Sequence, residues 1–181
     1  MTASHPASAL ERPRLQALEI RVSRGTGSGR TRLSAFDAAL RDAGVANFNL
    51  VRLSSVVPPG SHVREVGREH QLQGGHGDVL FCVYADAYAS IPGTSAWAGV
   101  AWSEHHDGSR SGLFVEHGSH DEHVLRHHLE SSLADLSEGR GGDFRPAGQV
   151  VASRRCVDED RPVCAVVVAS YATRSWDWAH V

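Results

Sequence analysis

Three long runs limit what this chain can fold into: "DVLFCVYADAYAS" from Asp78, "TSAWAGVAWS" from Thr94 and "PVCAVVVASYAT" from Pro162. β-Branched and aromatic residues either alternate with polar ones in these runs or follow one another unbroken. That is the pattern of strands buried on one face or on both. The first two are joined by the turn signal "IPG" and are expected to lie side by side as antiparallel neighbours. Shorter strands are expected in "LQALEIRVS", in "ANFNLVRL", in "GLFVEH" ending on the carboxylate of Glu116, and in "PAGQVVASRRCV". Two stretches carry the helical period instead. "LSAFDAALRDAG" starts at Ser34 as N-cap, has Asp37 three residues on and stops at Gly44, while "DEHVLRHHLESSLADL" sets Leu125, Leu129, Leu133 and Leu136 along one face. Helices mixed with strands in this order predict an α+β layered domain.

A length of 181 residues suits one domain with a real core. Residues 1–16, rich in Pro, Ser and Ala, are expected to form a flexible tail, with the domain over 17–181. A net charge of −3 with 41% hydrophobic residues predicts neither a nucleic-acid partner nor a membrane partner. No apolar run reaches a membrane span and the N-terminus lacks the order of a signal peptide, so a cytoplasmic location is expected. Cys82, Cys156 and Cys164 form no CxxC pair and read as buried free thiols. The basic residues number 18 and every one is Arg. A chain without lysine cannot form the internal aldimine of pyridoxal phosphate, nor the lysine Schiff base of an aldolase.

Two further features carry weaker signals. "RGTGSGRT" departs from the phosphate-binding pattern, since Arg24 stands where its first glycine belongs and Arg30 where its lysine belongs; it reads as a flexible turn. His123 and His127 lie four apart on the second helix, a spacing that suits a metal, but no third ligand follows from spacing and no metal is expected.

The chemistry centres on "NLVRLSSVVPPG", Asn49 to Gly60, where a strand runs into Ser54-Ser55 and then into Pro58-Pro59. The prolines fix φ and push the residues before them toward extended backbone, which can hold a peptide bond in one orientation. The Ser55 hydroxyl can then attack the Ser54 carbonyl and convert the amide to an ester. β-Elimination would leave dehydroalanine at 55, and its hydrolysis would give a pyruvoyl ketone and ammonia. Such a ketone does what the absent lysine cannot: it binds a substrate amine and accepts the electron pair left as carbon dioxide departs. A serine pair is also an ordinary way to end a strand.

The wider stretch "LSAFDAALRDAGVANFNLVRLSSVVPP", Leu33 to Pro59, closely resembles the pyruvoyl-dependent arginine decarboxylases, and the resemblance continues more weakly through "IPGTSAWAGVAW" and "SGLFVEH". It implies an αββα sandwich and cleavage between 54 and 55 into chains 1–54 and 55–181. It also implies a trimer of cleaved pairs, with sites at the subunit interfaces. By the same resemblance Ser55 becomes the pyruvoyl cofactor, Ser54 keeps the new carboxylate, and Asn49 contacts the substrate beside it. Asp37 would take the guanidinium of L-arginine, Leu40 would form an apolar wall, and Glu116 would be the general acid. Each has a local alternative: Asp37 as part of a capping box, Asn49 as an outward strand residue, Glu116 as a solvent-facing strand end. The His-rich segments after the prolines and after Glu116 depart from the family pattern, which puts substrate identity in question. A decarboxylase of another amino acid, an N-terminal serine amidohydrolase and an uncleaved binding protein remain open.

Overall fold

The computed structural model describes residues 17–176, so the expected tail over 1–16 lies outside the described residues, as do 177–181. In chain order the elements are β1 (Glu19–Ser28), α1 (Arg32–Ala43), β2 (Asn49–Arg52), β3 (Val56–Val57), β4 (His62–Glu65) and β5 (Val79–Ala89). There follow β6 (Ser95–His105), β7 (Gly112–Ser119), α2 (Glu122–Glu138), β8 (Phe144–Arg155) and β9 (Val163–Arg174). The strands form two sheets: a five-stranded one in the order β2-β5-β9-β1-β4 and a four-stranded one in the order β3-β7-β6-β8. This is an α+β domain of two sheets and two helices.

Three apolar clusters hold its layers together. The sheets face each other across Ile20, Val22, Val83, Val100, Trp102, Phe114 and Val167. On the outer side of the five-stranded sheet, Ala35, Ala39 and Leu40 of α1 pack on Leu80, Cys82, Cys164, Val166 and Val168. On the outer side of the other sheet, Leu125, Leu129 and Leu133 of α2 cover Ala101 and Val115, with the partly buried Leu136 beside them. The leucine stripe therefore packs as its spacing predicts. Among the described residues no helix is long and apolar enough to cross a membrane.

Four expectations are corrected. β5 and β6 are not paired neighbours, because the "IPG" turn carries the chain from one sheet to the other. Their shared apolar faces meet across the sandwich rather than along an edge. "RGTG" is not a flexible turn either, since β1 continues through it and pairs with β9 as far as Ser28↔Val163. Its glycines are there for space: a Cβ on Gly25 would collide with the backbone at Ala39 and Ala43, and one on Gly27 with that at Ala35 and Ala39. Third, the N-cap of α1 is Thr31, whose hydroxyl accepts the Ser34 N–H at 3.1 Å, while the Ser34 hydroxyl accepts the Thr31 N–H at 3.0 Å. Asp37 thus lies outside the capping box. Gly44 closes the helix at φ 83°, as expected. Last, β7 runs on to Ser119, so Glu116 sits within a strand and not at its end.

All three cysteines are buried free thiols, and burial pushes those of Cys82 and Cys164 up to about 12. The contact between α1 and β1 is a close backbone approach that leaves no room for a methyl group. Gly25→Ala is expected to lower unfolding free energy by about 1–3 kcal/mol, read by equilibrium denaturation.

Candidate active site

Leu53 to Ser55 is where the chain leaves one sheet for the other. β2 forms the edge of the five-stranded sheet, parallel to β5, and β3 forms the edge of the four-stranded sheet, antiparallel to β7. The crossover is pinned on both sides. Leu53 N–H donates to the Cys82 carbonyl at 2.9 Å, and the Ser55 carbonyl accepts the Phe114 N–H at 2.8 Å. One residue on, the Val56 carbonyl accepts the Tyr171 hydroxyl at 3.1 Å. Ser54 between these anchors is exposed and makes no backbone hydrogen bond among the described residues.

Ser55 has φ 66°, a left-handed conformation that a non-glycine residue adopts only when its surroundings hold it there. Its hydroxyl donates to the Glu116 carboxylate, 2.9 Å from Oε1 and 3.0 Å from Oε2. Glu116 is largely buried, its side chain 17% exposed, and Arg52 Nη2 lies 3.7 Å from its Oε1. A hydroxyl shared between the two oxygens of a carboxylate is a nucleophile already in contact with a base.

This pair borders a cavity of about 450 Å³, lined further by Ser54, Phe114, His117, Asp135 and Arg140. His117 points the other way along β7, with Nε2 2.8 Å from the Ser132 hydroxyl on α2. Burial, and after it the neighbouring His128, hold its imidazole below the usual histidine range. A larger cavity of about 640 Å³ lies beneath the C-terminal half of α2, walled by Leu129, Leu133, Phe144 and Pro146. Its lining serines, Ser103 and Ser137, make no hydrogen bond to a carboxylate among the described residues, so the chemistry is assigned to the smaller one.

Ser54, Ser55 and Glu116 come together within one chain, and the other residues singled out from the sequence do not join them. Asn49 opens β2 and donates through Nδ2 to the Gly77 carbonyl at 2.6 Å. Asp37 lies exposed on α1, paired with Arg41 at 3.0 Å, and Leu40 is buried beneath that helix. Neither lines the Ser55 cavity. The structure adds Arg52 and Tyr171 to the site; Arg52 lies three residues before Ser55, yet its charge alone does not mark it in the sequence. No group of three or more His, Cys, Asp or Glu placed to hold a metal ion occurs among the described residues.

Comparison with known proteins places the chain in a family. The family model for pyruvoyl-dependent arginine decarboxylase matches residues 19–176. The chain belongs to that family. A pyruvoyl-dependent arginine decarboxylase of Thermoplasma volcanium is 39% identical over 105 residues, 58% of this chain and 57% of that protein. One from Thermococcus kodakarensis is 32% identical over 157 residues, covering 81% of this chain and 90% of the relative. Pyruvoyl-dependent arginine decarboxylase 2 of Archaeoglobus fulgidus is 29% identical over 144 residues, 79% of this chain and 90% of its own. The chain thus spans little more than half of the first of these relatives and nearly all of the other two.

The phenol of Tyr171 is pushed above its ordinary value of 10.0, by burial first and then by the charge of Glu116. The fold therefore prefers the neutral phenol, and its contribution is complete below pH 10.0 and declines as pH rises beyond it. Tyr171→Phe is expected to cost about 1 kcal/mol at pH 8 through the lost hydrogen bond. It should also lose less stability than the parent between pH 8 and about 11, as read by denaturation at both values. Cys82 and Cys164 contribute the same alkaline loss to both proteins.

Proposed function

We propose that this protein cuts itself between Ser54 and Ser55 and decarboxylates L-arginine to agmatine. The observation that carries the reading is the Ser55 hydroxyl, held by both oxygens of Glu116 on a left-handed residue at the sheet crossover. Glu116 takes the hydroxyl proton as Ser55 Oγ attacks the Ser54 carbonyl carbon. The hydrogen bonds at Leu53, Ser55 and Val56 hold the peptide still while that bond forms.

The residues present fit a ketone at position 55. Losing the serine oxygen to the new Ser54 carboxylate leaves Glu116 beside the reacting carbon with no competing hydroxyl. A pyruvoyl group there supplies an electron sink for the pair released with carbon dioxide. Glu116, set beside Phe114 in the wall of a partly closed cavity, returns the proton to the substrate α-carbon.

Guanidinium recognition falls to Asp37. A carboxylate meets a guanidinium through two parallel charge-assisted hydrogen bonds, and the partner that Asp37 holds in one chain, Arg41, is itself a guanidinium. Because α1 lies outside the sheet opposite to Glu116, a second copy of the chain must bring Asp37 to Ser55. A second copy at the site fits a trimer of cleaved pairs with interfacial sites, where Leu40 of the same helix forms an apolar wall and Asn49, at the start of β2, contacts the substrate beside the pyruvoyl group.

Intact mass under denaturing conditions is the primary test. Two fragments, 1–54 and 55–181, with the second lighter by one ammonia than a serine-started chain, are expected. Ser55→Ala should remain one inactive chain. A serine-started second fragment indicates an N-terminal nucleophile instead, and an uncleaved parent protein indicates a binding protein or a precursor that needs a trigger. Asp37→Asn should cleave normally yet raise the KM for arginine by about tenfold or more, as expected for loss of a charge-assisted pair. An unchanged KM removes Asp37 from this role.

A further inference from the structure

The site contains a cation that the proposed reaction does not yet use. Arg52, the last residue of β2, reaches from the five-stranded sheet to Glu116 on the four-stranded one, at 3.7 Å. Its guanidinium is fixed by its own sheet: Nη2 donates to the Tyr84 carbonyl at 2.8 Å, and the group lies 4.8 Å from the centre of the Tyr84 ring. Tyr84 in turn meets Phe36 of α1, ring centres 6.2 Å apart. The charge is therefore held on a rigid support, with less side-chain freedom than a lone surface arginine.

Glu116 is bracketed. One oxygen is shared between the Ser55 hydroxyl and the Arg52 guanidinium, Tyr171 and His117 stand beside the carboxylate, and Asp135 and Arg140 of the α2 side line the same cavity. Without Arg52, the carboxylate could rotate away from Ser55 into the cavity toward Arg140, which lines the same space. We infer that Arg52 is a positioning residue, whose guanidinium keeps the Glu116 carboxylate turned onto the Ser55 hydroxyl for self-cleavage. The inference rests on the self-cleavage proposed above. It predicts that Arg52 acts only through Glu116, which a general structural role would not require.

The test is the rate at which fragment 55–181 appears, followed by intact mass, in the full chain and in variants at the two positions. Arg52→Met, which keeps the stem and removes the charge, should cleave on the order of tenfold more slowly. Arg52→Lys keeps a cation but loses the planar stack on Tyr84, and should cleave at a rate between those of the parent and Arg52→Met. Glu116→Gln should slow cleavage by about a hundredfold, as for loss of a positioned base, and adding Arg52→Met to it should cause little further slowing. Equal cleavage by Arg52→Met and the parent overturns the inference. So does an equal slowing by Arg52→Met in both backgrounds, since the effect would then bypass Glu116. Arg52→Gln, which retains a donor for the Tyr84 carbonyl, replaces Arg52→Met if thermal unfolding shows that the latter does not fold. A parent protein that never cleaves refutes the self-cleavage itself, an outcome distinct from failure of the Arg52 role.

Discussion

Strand β9 is buried along most of its length, and that constraint organises the rest of the molecule. From Val163 to Tyr171 every residue is buried, with Val167 and Ala169 facing the opposite sheet and Val166 and Val168 facing α1. A strand covered on both sides needs a neighbour at each edge and a layer on each face. β5 and β1 fill the edges, α1 covers one face, and the four-stranded sheet covers the other. The glycines of β1 let α1 settle close enough to seal its side. The chain must then pass between layers, and each passage creates a corner where backbone leaves its ladder. The Ser54-Ser55 junction is one such corner, which explains how a peptide bond there can be held firmly and still be open to attack.

What was legible in the sequence follows from what local pattern encodes. Alternation located β5, β6 and β9, and the leucine spacing located α2 with its buried face. Alternation cannot say which sheet a strand joins, so a turn such as "IPG" serves equally for a hairpin or for an arch between sheets. Glycines in "RGTG" suggested mobility because their commonest use is in turns. Here they clear space for a helix whose position depends on the whole fold. Thr31 and Ser34 stand three residues apart and each could cap a helix, and only the chain's entry angle from β1 selects Thr31.

At the site, the serine pair ahead of two prolines pointed to Ser54 and Ser55, the resemblance gave Glu116 its role, and those three meet in one chain. No local pattern could have placed Arg52 or Tyr171, because both act across the gap between sheets from residues far apart in sequence. A second layer of contact was similarly out of reach. Asp37 has a position and a charge that sequence reveals, but no local pattern says that α1 packs on the outer side of the five-stranded sheet, away from the Ser55 cavity.

The crossover has a further consequence for how the molecule would behave once opened. Residues 19–52 supply β1, α1 and β2, and β1 lies between β9 and β4, both of which come from beyond residue 55. A break at 54–55 would cut no ladder hydrogen bond, yet the shorter piece could leave only by unzipping β1 from both neighbours, peeling β2 from β5 and lifting α1 from its core. The two pieces would be interlocked rather than merely associated. Dilution alone should not part them, and the covalent link would be dispensable for holding the shape that it helped to build.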